Sequence, residues 1–358
     1  MTVDQLRPHL TLIAILLVGC KPQPNAEPSA DTAVATASVA TQEVEPLPSW
    51  NDAGARERIL SFVKSVTSAD APGFVPPAER IAVFDNDGTL WSEQPLYFQG
   101  FFALDRVREL ANDHPEWRTT EPFKSAIAGD MKSLLASGEQ GVMKVVLAAH
   151  ANVTAEEFAD SVRNWLKTAR HPTKGVPYTQ MVYQPMLELL DYLRANGFKT
   201  FIVSGGGVDF MRVFAEEVYG IPPEQVVGTT SDAEFEMRDG IPTIVKTGKL
   251  VLLDDKIGKP VGIYRHIGRR PVFAAGNSDG DLQMLEYTTI VGHAEDTRPR
   301  LGLIVHHTDA EREFAYDRQS SMGRLDKALE EAKERHWLVV DMQKDWRRVY
   351  PDVASQMR

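Results

Sequence analysis

The stretch Ile81-Ala-Val-Phe-Asp85-Asn-Asp87-Gly-Thr-Leu90 constrains the fold more than any other part of the chain. Four apolar residues run into two carboxylates two apart, then a Gly-Thr turn. A run that short and wholly apolar predicts a strand buried on both faces, as in a parallel sheet. Ligands gather at the carboxyl ends of such strands. There Asp85 and Asp87 can face one pocket, where one attacks and the other handles a proton. An acidic turn is the competing reading, since Asp, Asn and Gly are ordinary turn formers.

Other segments repeat the pattern. Residues 199–203 form a second apolar strand ending in Ser204-Gly-Gly-Gly207, and 271–275 a third ending in Gly276-Asn-Ser-Asp-Gly-Asp281. Residues 289–291 and 303–305 read as further strands, and 234–245 as a short hairpin through Arg238-Asp239-Gly240. Helical spacing appears at 53–66, 186–195 and 208–218, so strand and helix alternate. The expected fold is therefore a doubly wound, Rossmann-like α/β parallel sheet. More than a hundred residues separate the first two strands, far beyond an ordinary crossover. Helical patterns at 101–111, 123–135, 141–149 and 155–167 fill that gap. They predict a helical cap over 94–178, with the core in 49–93 and 179–358. Residues 323–337 read as a terminal amphipathic surface helix.

The first fifty residues stand apart. Residues 10–18 are an apolar run of nine, too short to span a bilayer and suited to the core of a secretory signal. Leu17-Val18-Gly19-Cys20 resembles the lipobox of bacterial lipoproteins, which makes Cys20 the expected lipidation site and residues 1–20 the signal peptide. A plain cleaved signal is the competing reading. Cys20 is the sole cysteine, and Lys21 after it leans toward the outer membrane. Residues 21–48 hold Pro, Ala, Thr, Ser and Glu without apolar periodicity, which predicts a flexible tether. The expected location is periplasmic, with contact to membrane only through the lipid anchor. A net charge of −11 argues against nucleic acid as a partner.

Three strand ends now carry polar clusters, and Leu253-Asp-Asp-Lys256-Ile-Gly-Lys259-Pro260 opens the helix before the third strand. In order and spacing this set resembles the haloacid dehalogenase superfamily, and within it the phosphatases similar to phosphoserine phosphatase. The resemblance implies that Asp85 attacks phosphorus and that Asp87 is the general acid and base. It implies phosphate binding by Ser204 and the Gly205 amide, and a catalytic lysine, for which Lys259 is chosen with Lys256 in competition. It also implies Mg²⁺, held by Asp85, the Asp87 carbonyl, Asn277 and Asp281. Asn277 departs from the family pattern, because an acid is usual there. An amide oxygen brings no charge, and Asp279 could take the place through a shifted loop.

Substrate choice is expected from the cap and from Trp91-Ser-Glu93-Gln-Pro-Leu-Tyr97. Glu93 lies near the place where phosphoserine phosphatases carry an amine-binding Glu, one residue early. Trp91, Tyr97 and Phe98 make either a cation–π wall for a choline-like group or plain core. Arg106 and Arg108 are either carboxylate partners or solvated. The pair His306-His307 points to opposite sides of a strand and makes a poor chelate. The expected function is Mg²⁺-dependent hydrolysis of a small phosphomonoester. A non-catalytic phosphate-ligand-binding lipoprotein and a phosphotransferase to an alcohol acceptor are the alternatives.

Overall fold

The computed structural model describes residues 45–52, 54–292 and 297–352. The expected signal peptide, Cys20 and most of the tether lie outside these residues. The described body forms one compact unit from Glu45 onward. Leu47 and Trp50 are already buried, so packing starts a few residues ahead of 49.

Seven strands make one sheet in the order β4-β3-β2-β1-β5-β6-β7. They are β1 (Ile81–Phe84), β2 (Lys199–Gly207), β3 (Val226–Arg238), β4 (Ile241–Leu252), β5 (Phe273–Gly276), β6 (Leu301–His306) and β7 (Leu338–Asp341). All neighbours are parallel except β3 and β4. β1 shows why its sequence is apolar throughout. Ala82 and Phe84 pack on one face with helices α1 (Gly54–Thr67) and α7 (Gln184–Ala195). Ile81 and Val83 pack on the other, with α11 (Leu282–Thr289) and α12 (Lys327–Glu334). Successive side chains alternate between faces, and both faces are covered.

Between β1 and β2 the chain forms α2 (Phe98–Leu110), α3 (Phe123–Ala128), α4 (Met131–Ala136), α5 (Gly138–Ala148) and α6 (Ala155–Thr168). Leu104, Val107, Phe123, Leu134 and Val145 give this insertion an apolar cluster of its own. The single helix expected over 123–135 is two, because Gly129 takes a left-handed φ of 72° and caps α3.

The hairpin is far longer than expected. β3 begins parallel to β2 inside the sheet, then pairs antiparallel with β4 as far as Arg238 and Ile241. Asp239 and Gly240, both at positive φ, make the turn. β4 also reaches the insertion: Asn152 N donates to Lys246 O, and Lys246 N to Val153 O.

Two other expectations are corrected. Residues 289–291 are not a strand, because α11 runs to Thr289 with Met284, Leu285 and Thr288 buried. That packing outweighs the β preference of the Thr-Thr-Ile-Val run. The terminal helix is only Lys327–Glu334, and Ala328 and Ala332 face the core beside Leu325 and Trp337. It is a packed layer of the fold, not a surface ornament. Finally, the two ends of the described chain meet. Trp50 bridges Trp346, with Asn51 N donating to Asp345 O and Arg347 N to Ser49 O, both at 2.8 Å.

Candidate active site

Register brings the polar clusters together. β1 lies between β2 and β5, with Phe84 level with Ile202 on one side and Ala275 on the other. Asp85 and Asn277 lie just beyond β1 and β5, and Ser204 lies in β2 two residues past Ile202, so all three reach one rim of the sheet. Asp85 N donates to Ala275 O at 2.9 Å, which fixes the start of the turn.

Lys259 lies at the start of the short helix α10 (Gly258–Gly262) and is 2% exposed. Its Nζ donates to Asp85 Oδ1 at 2.7 Å and to Asp281 Oδ1 at 2.5 Å. Burial alone would lower its pKa, but Asp281 and Asp85 outweigh burial and hold the ammonium above the usual range. Burial and Asp281 push the Asp85 carboxyl up, and Lys259 opposes them. Lys256, the competing lysine, is exposed and reaches only Asp255 at 3.5 Å.

Asp87 accepts from Trp91 Nε1 at 2.8 Å. Burial pushes its carboxyl up to about 6, against the pull of that N–H and of Lys259. Trp91 is itself core, stacked 4.6 Å from Phe214 and packed on Phe98. Of the two readings, core is the one that fits Trp91 and Phe98, which are buried, while Tyr97 is exposed at 39%.

Ser204 is buried, and its Oγ accepts from Gly206 N at 3.2 Å. Gly207 N donates at 2.7 Å to Gln99 Oε1, so α2 of the insertion grips this loop directly. Gln99 in turn stands 3.5 Å from His150, a buried imidazole whose pKa burial and then Lys246 push down to about 3. Lys246 Nζ bonds Asp209 and Ser231 beside it.

Asp281 is turned toward the protein. Besides Lys259, it accepts from the backbone amides of Asn277 at 2.9 Å and Ser278 at 3.0 Å. Its two oxygens are thus taken up by Lys259 and by these amides. Asp279 does not enter the site, since its Oδ1 accepts the Asp326 and Ala328 amides and anchors α12. Asn277 is 1% exposed, with Thr89 Oγ1 donating to its Oδ1 at 3.1 Å and its Nδ2 donating to Glu93 Oε1 at 2.7 Å. Tyr316 OH donates to the same Glu93 oxygen at 2.7 Å. Burial, with Asp87 and Asp85 near, pushes the Glu93 carboxyl well above its usual range, against those two hydrogen bonds.

A second layer comes from the segment after β6, where the sequence showed His306-His307 only as a poor chelate. His307 Nε2 contacts Gly88 O at 2.7 Å, and its Nδ1 contacts Glu313 Oε2 at 3.2 Å. Glu313 Oε1 accepts from Ser92 and Tyr183. His306 points elsewhere, 3.6 Å from Asp317. Arg106 and Arg108 pair with Glu109 and Asp105 on the outer face of α2.

A doubly wound α/β core with acidic loops and a buried lysine at the carboxyl ends of its central strands defines a class of hydrolase folds. Residues 82–286 match the family described as haloacid dehalogenase-like hydrolase, and the chain belongs to that family. Among solved structures, it is similar to a protein of unknown function from Bordetella pertussis Tohama I. The TM-score is 0.46 at 16% identity, covering 74% of this chain and 99% of that one. A phosphoserine phosphohydrolase-like protein from Francisella tularensis subsp. tularensis SCHU S4 gives 0.36 at 16% identity, covering 71% and 98%. A probable phosphoserine phosphatase from Vibrio cholerae gives 0.35 at 14% identity, covering 73% and 67%. No curated protein matches the sequence.

The family implies a divalent cation. Among the described residues no three His, Cys, Asp or Glu side chains converge on a metal position. The donors at hand are the Asp85 carboxylate, the Asp87 main-chain carbonyl and Asn277 Oδ1, all oxygens and so suited to a hard cation such as Mg²⁺. Asp85, Asp87, Glu93 and Asp281 share the site with one buried lysine, which leaves room for positive charge.

Proposed function

We propose that this chain is a phosphomonoester hydrolase that is phosphorylated on Asp85 and depends on Mg²⁺. The observation that carries the reading is the Lys259–Asp85 contact of 2.7 Å at the end of the central strand, with Asp87 two residues on. Lys259 holds Asp85 Oδ1, so Oδ2 is the oxygen that attacks phosphorus in line. The bond from phosphorus to the ester oxygen breaks, and Asp87 protonates the departing alcohol. Ser204 and the Gly205 amide hold phosphoryl oxygens, and Lys259 offsets their charge. Water then attacks the phosphorylated Asp85, giving its proton to Asp87, and phosphate leaves with Asp85 restored. When bound, the cation would screen the charge between carboxylate and phosphoryl group.

The substrate class is a small phosphorylated metabolite. With Trp91 and Phe98 in the core, a phosphocholine-like ester loses its aromatic cage, and a phosphoserine-like ester is favoured. The lipobox-like run before Cys20 supports an anchored periplasmic enzyme.

Phosphate release by the full chain from a panel of phosphomonoesters tests the reading, with Mg²⁺, with chelator and with Asp85→Asn. Release that needs both Mg²⁺ and Asp85 is the expected result. Release that survives Asp85→Asn sinks the nucleophile. No release from any ester by folded protein sinks the hydrolase and favours a phosphate-ligand-binding lipoprotein.

A further inference from the structure

We propose that Gln99 is a positioning residue of the phosphate loop: its side-chain carbonyl holds the Gly207 amide, so the seated insertion sets the shape in which Ser204 and Gly205 meet a phosphoryl group. The inference rests on the hydrolase reading above and adds a residue to it.

The loop needs holding because the sheet lets it go. Ser204 is level with Gly228 and Gly207 with Thr229, so the two residues between them have no place in the β2–β3 ladder. Both are glycines, which leave the backbone its widest choice of conformation. Three hydrogen bonds narrow that choice. Thr229 Oγ1 donates to Gly205 O at 2.7 Å, which ties the loop to β3. Gly206 N donates to Ser204 Oγ at 3.2 Å, and the serine, an acceptor here, keeps its O–H for a phosphoryl oxygen. The third bond, Gly207 N to Gln99 Oε1 at 2.7 Å, ties the loop to the insertion.

Packing places Gln99 for this contact. It is 9% exposed on α2, and Phe102, three residues on, packs 5.5 Å from Phe210 of α8 (Val208–Arg212). Gly207 likewise lies three residues before Phe210, so α2 meets this segment at two levels, one apolar and one polar. A backbone N–H only donates, which turns Oε1 toward Gly207 and leaves Nε2 beside His150, 3.5 Å away. The contact also accounts for the third glycine of the run. Gly207 has φ −66°, open to any residue, yet a Cβ there would come 2.5 Å from Gln99 Nε2. A loop set in this way binds the phosphoryl group alike in an ester and in free phosphate. Its release therefore weakens both.

The test is phosphate release by the full chain, with inorganic phosphate as the competing inhibitor. Gln99→Met keeps the bulk and removes the acceptor. It should raise KM for the fastest ester of the panel and Ki for phosphate together, by about 2- to 10-fold. A loss of folded protein alone would lower kcat and leave both constants unchanged. A double-mutant cycle with Gly207→Ala isolates the contact. In the wild-type background the added Cβ should weaken phosphate in the same sense. In Gln99→Ala, where it has room, it should cost nothing further. Circular dichroism checks that each variant folds. Unchanged KM and Ki in folded Gln99→Met overturn the proposal, as do effects of Gln99→Ala and Gly207→Ala that simply add. A raised KM with unchanged Ki also overturns it, and makes Gln99 a contact to the rest of the ester. Wild-type protein that releases no phosphate from any ester overturns the hydrolase reading, and this inference with it.

Discussion

Asp87 accepts from the Trp91 indole, and that hydrogen bond opposes burial in setting its protonation. The Trp91 N–H favours the ionised carboxylate, while burial favours the neutral acid near pH 6. Trp91→Phe keeps the ring packed against Phe98 and Phe214 but removes the donor. A hydrogen bond to a charged group is worth about 1.5–3 kcal/mol, so the Asp87 pKa should rise by about one to two units. In a pH–rate profile on an ester with a poor leaving group, the limb that reports the protonated acid should move up by that amount. An unmoved limb would mean that another group protonates the leaving oxygen. Asp85, Ser204, Lys259 and Asn277 were visible in sequence because each stands directly beyond an apolar run or opens a helix. Tyr316 was not, and Trp91 and His307 were visible only as a wall-or-core aromatic and as half of a poor chelate. An aromatic or a histidine reads as core until the fold brings it to a carboxylate, and Tyr316 meets Glu93 from 223 positions away.

Among the elements, the insertion and the hairpin are fastened where α5 ends, and His150 sits at that junction. Its pKa is about 3 when folded, against 6.5 for a solvated imidazole side chain. Folding therefore expels a proton between those values, so stability is complete above pH 6.5 and falls as the pH drops below it. The loss is about 1.4 kcal/mol per pH unit. Urea unfolding at pH 6.5 and pH 5 should show wild type losing about 2 kcal/mol more than His150→Gln. Equal losses would place the acid sensitivity elsewhere. The strands that escaped sequence reading are those with least local signal. The parallel part of β3 is brief before the chain leaves for the hairpin, and β7 is four residues long. Both exist because a neighbouring strand offers its open edge, which no local pattern records. The Asp239-Gly240 turn was legible because its positive φ values demand those residue types.

For the whole molecule, the segment after β6 is the tie between the rim of the sheet and the chain's last elements. Glu313 holds Ser92, Tyr183 and His307 at once while 2% exposed, and its own amide neighbour Phe314 bonds it too. Glu313→Ala strips several buried donors of their acceptor and should cost about 3–5 kcal/mol in denaturant unfolding. A cost below about 1 kcal/mol would show that water replaces it. The pairing of Trp50 with Trp346 has a different consequence. Because Ser49 and Asn51 pair antiparallel with residues 345–347, the segments that lead to residues 45 and 352 leave from neighbouring positions. A linker of about eight residues, spanning up to about 26 Å, should join them without strain. New ends could then be cut at the exposed Asp239-Gly240 turn. Such a circular permutant should unfold in one cooperative step and release phosphate as the parent does, since the pocket is indifferent to where ribosomal synthesis begins.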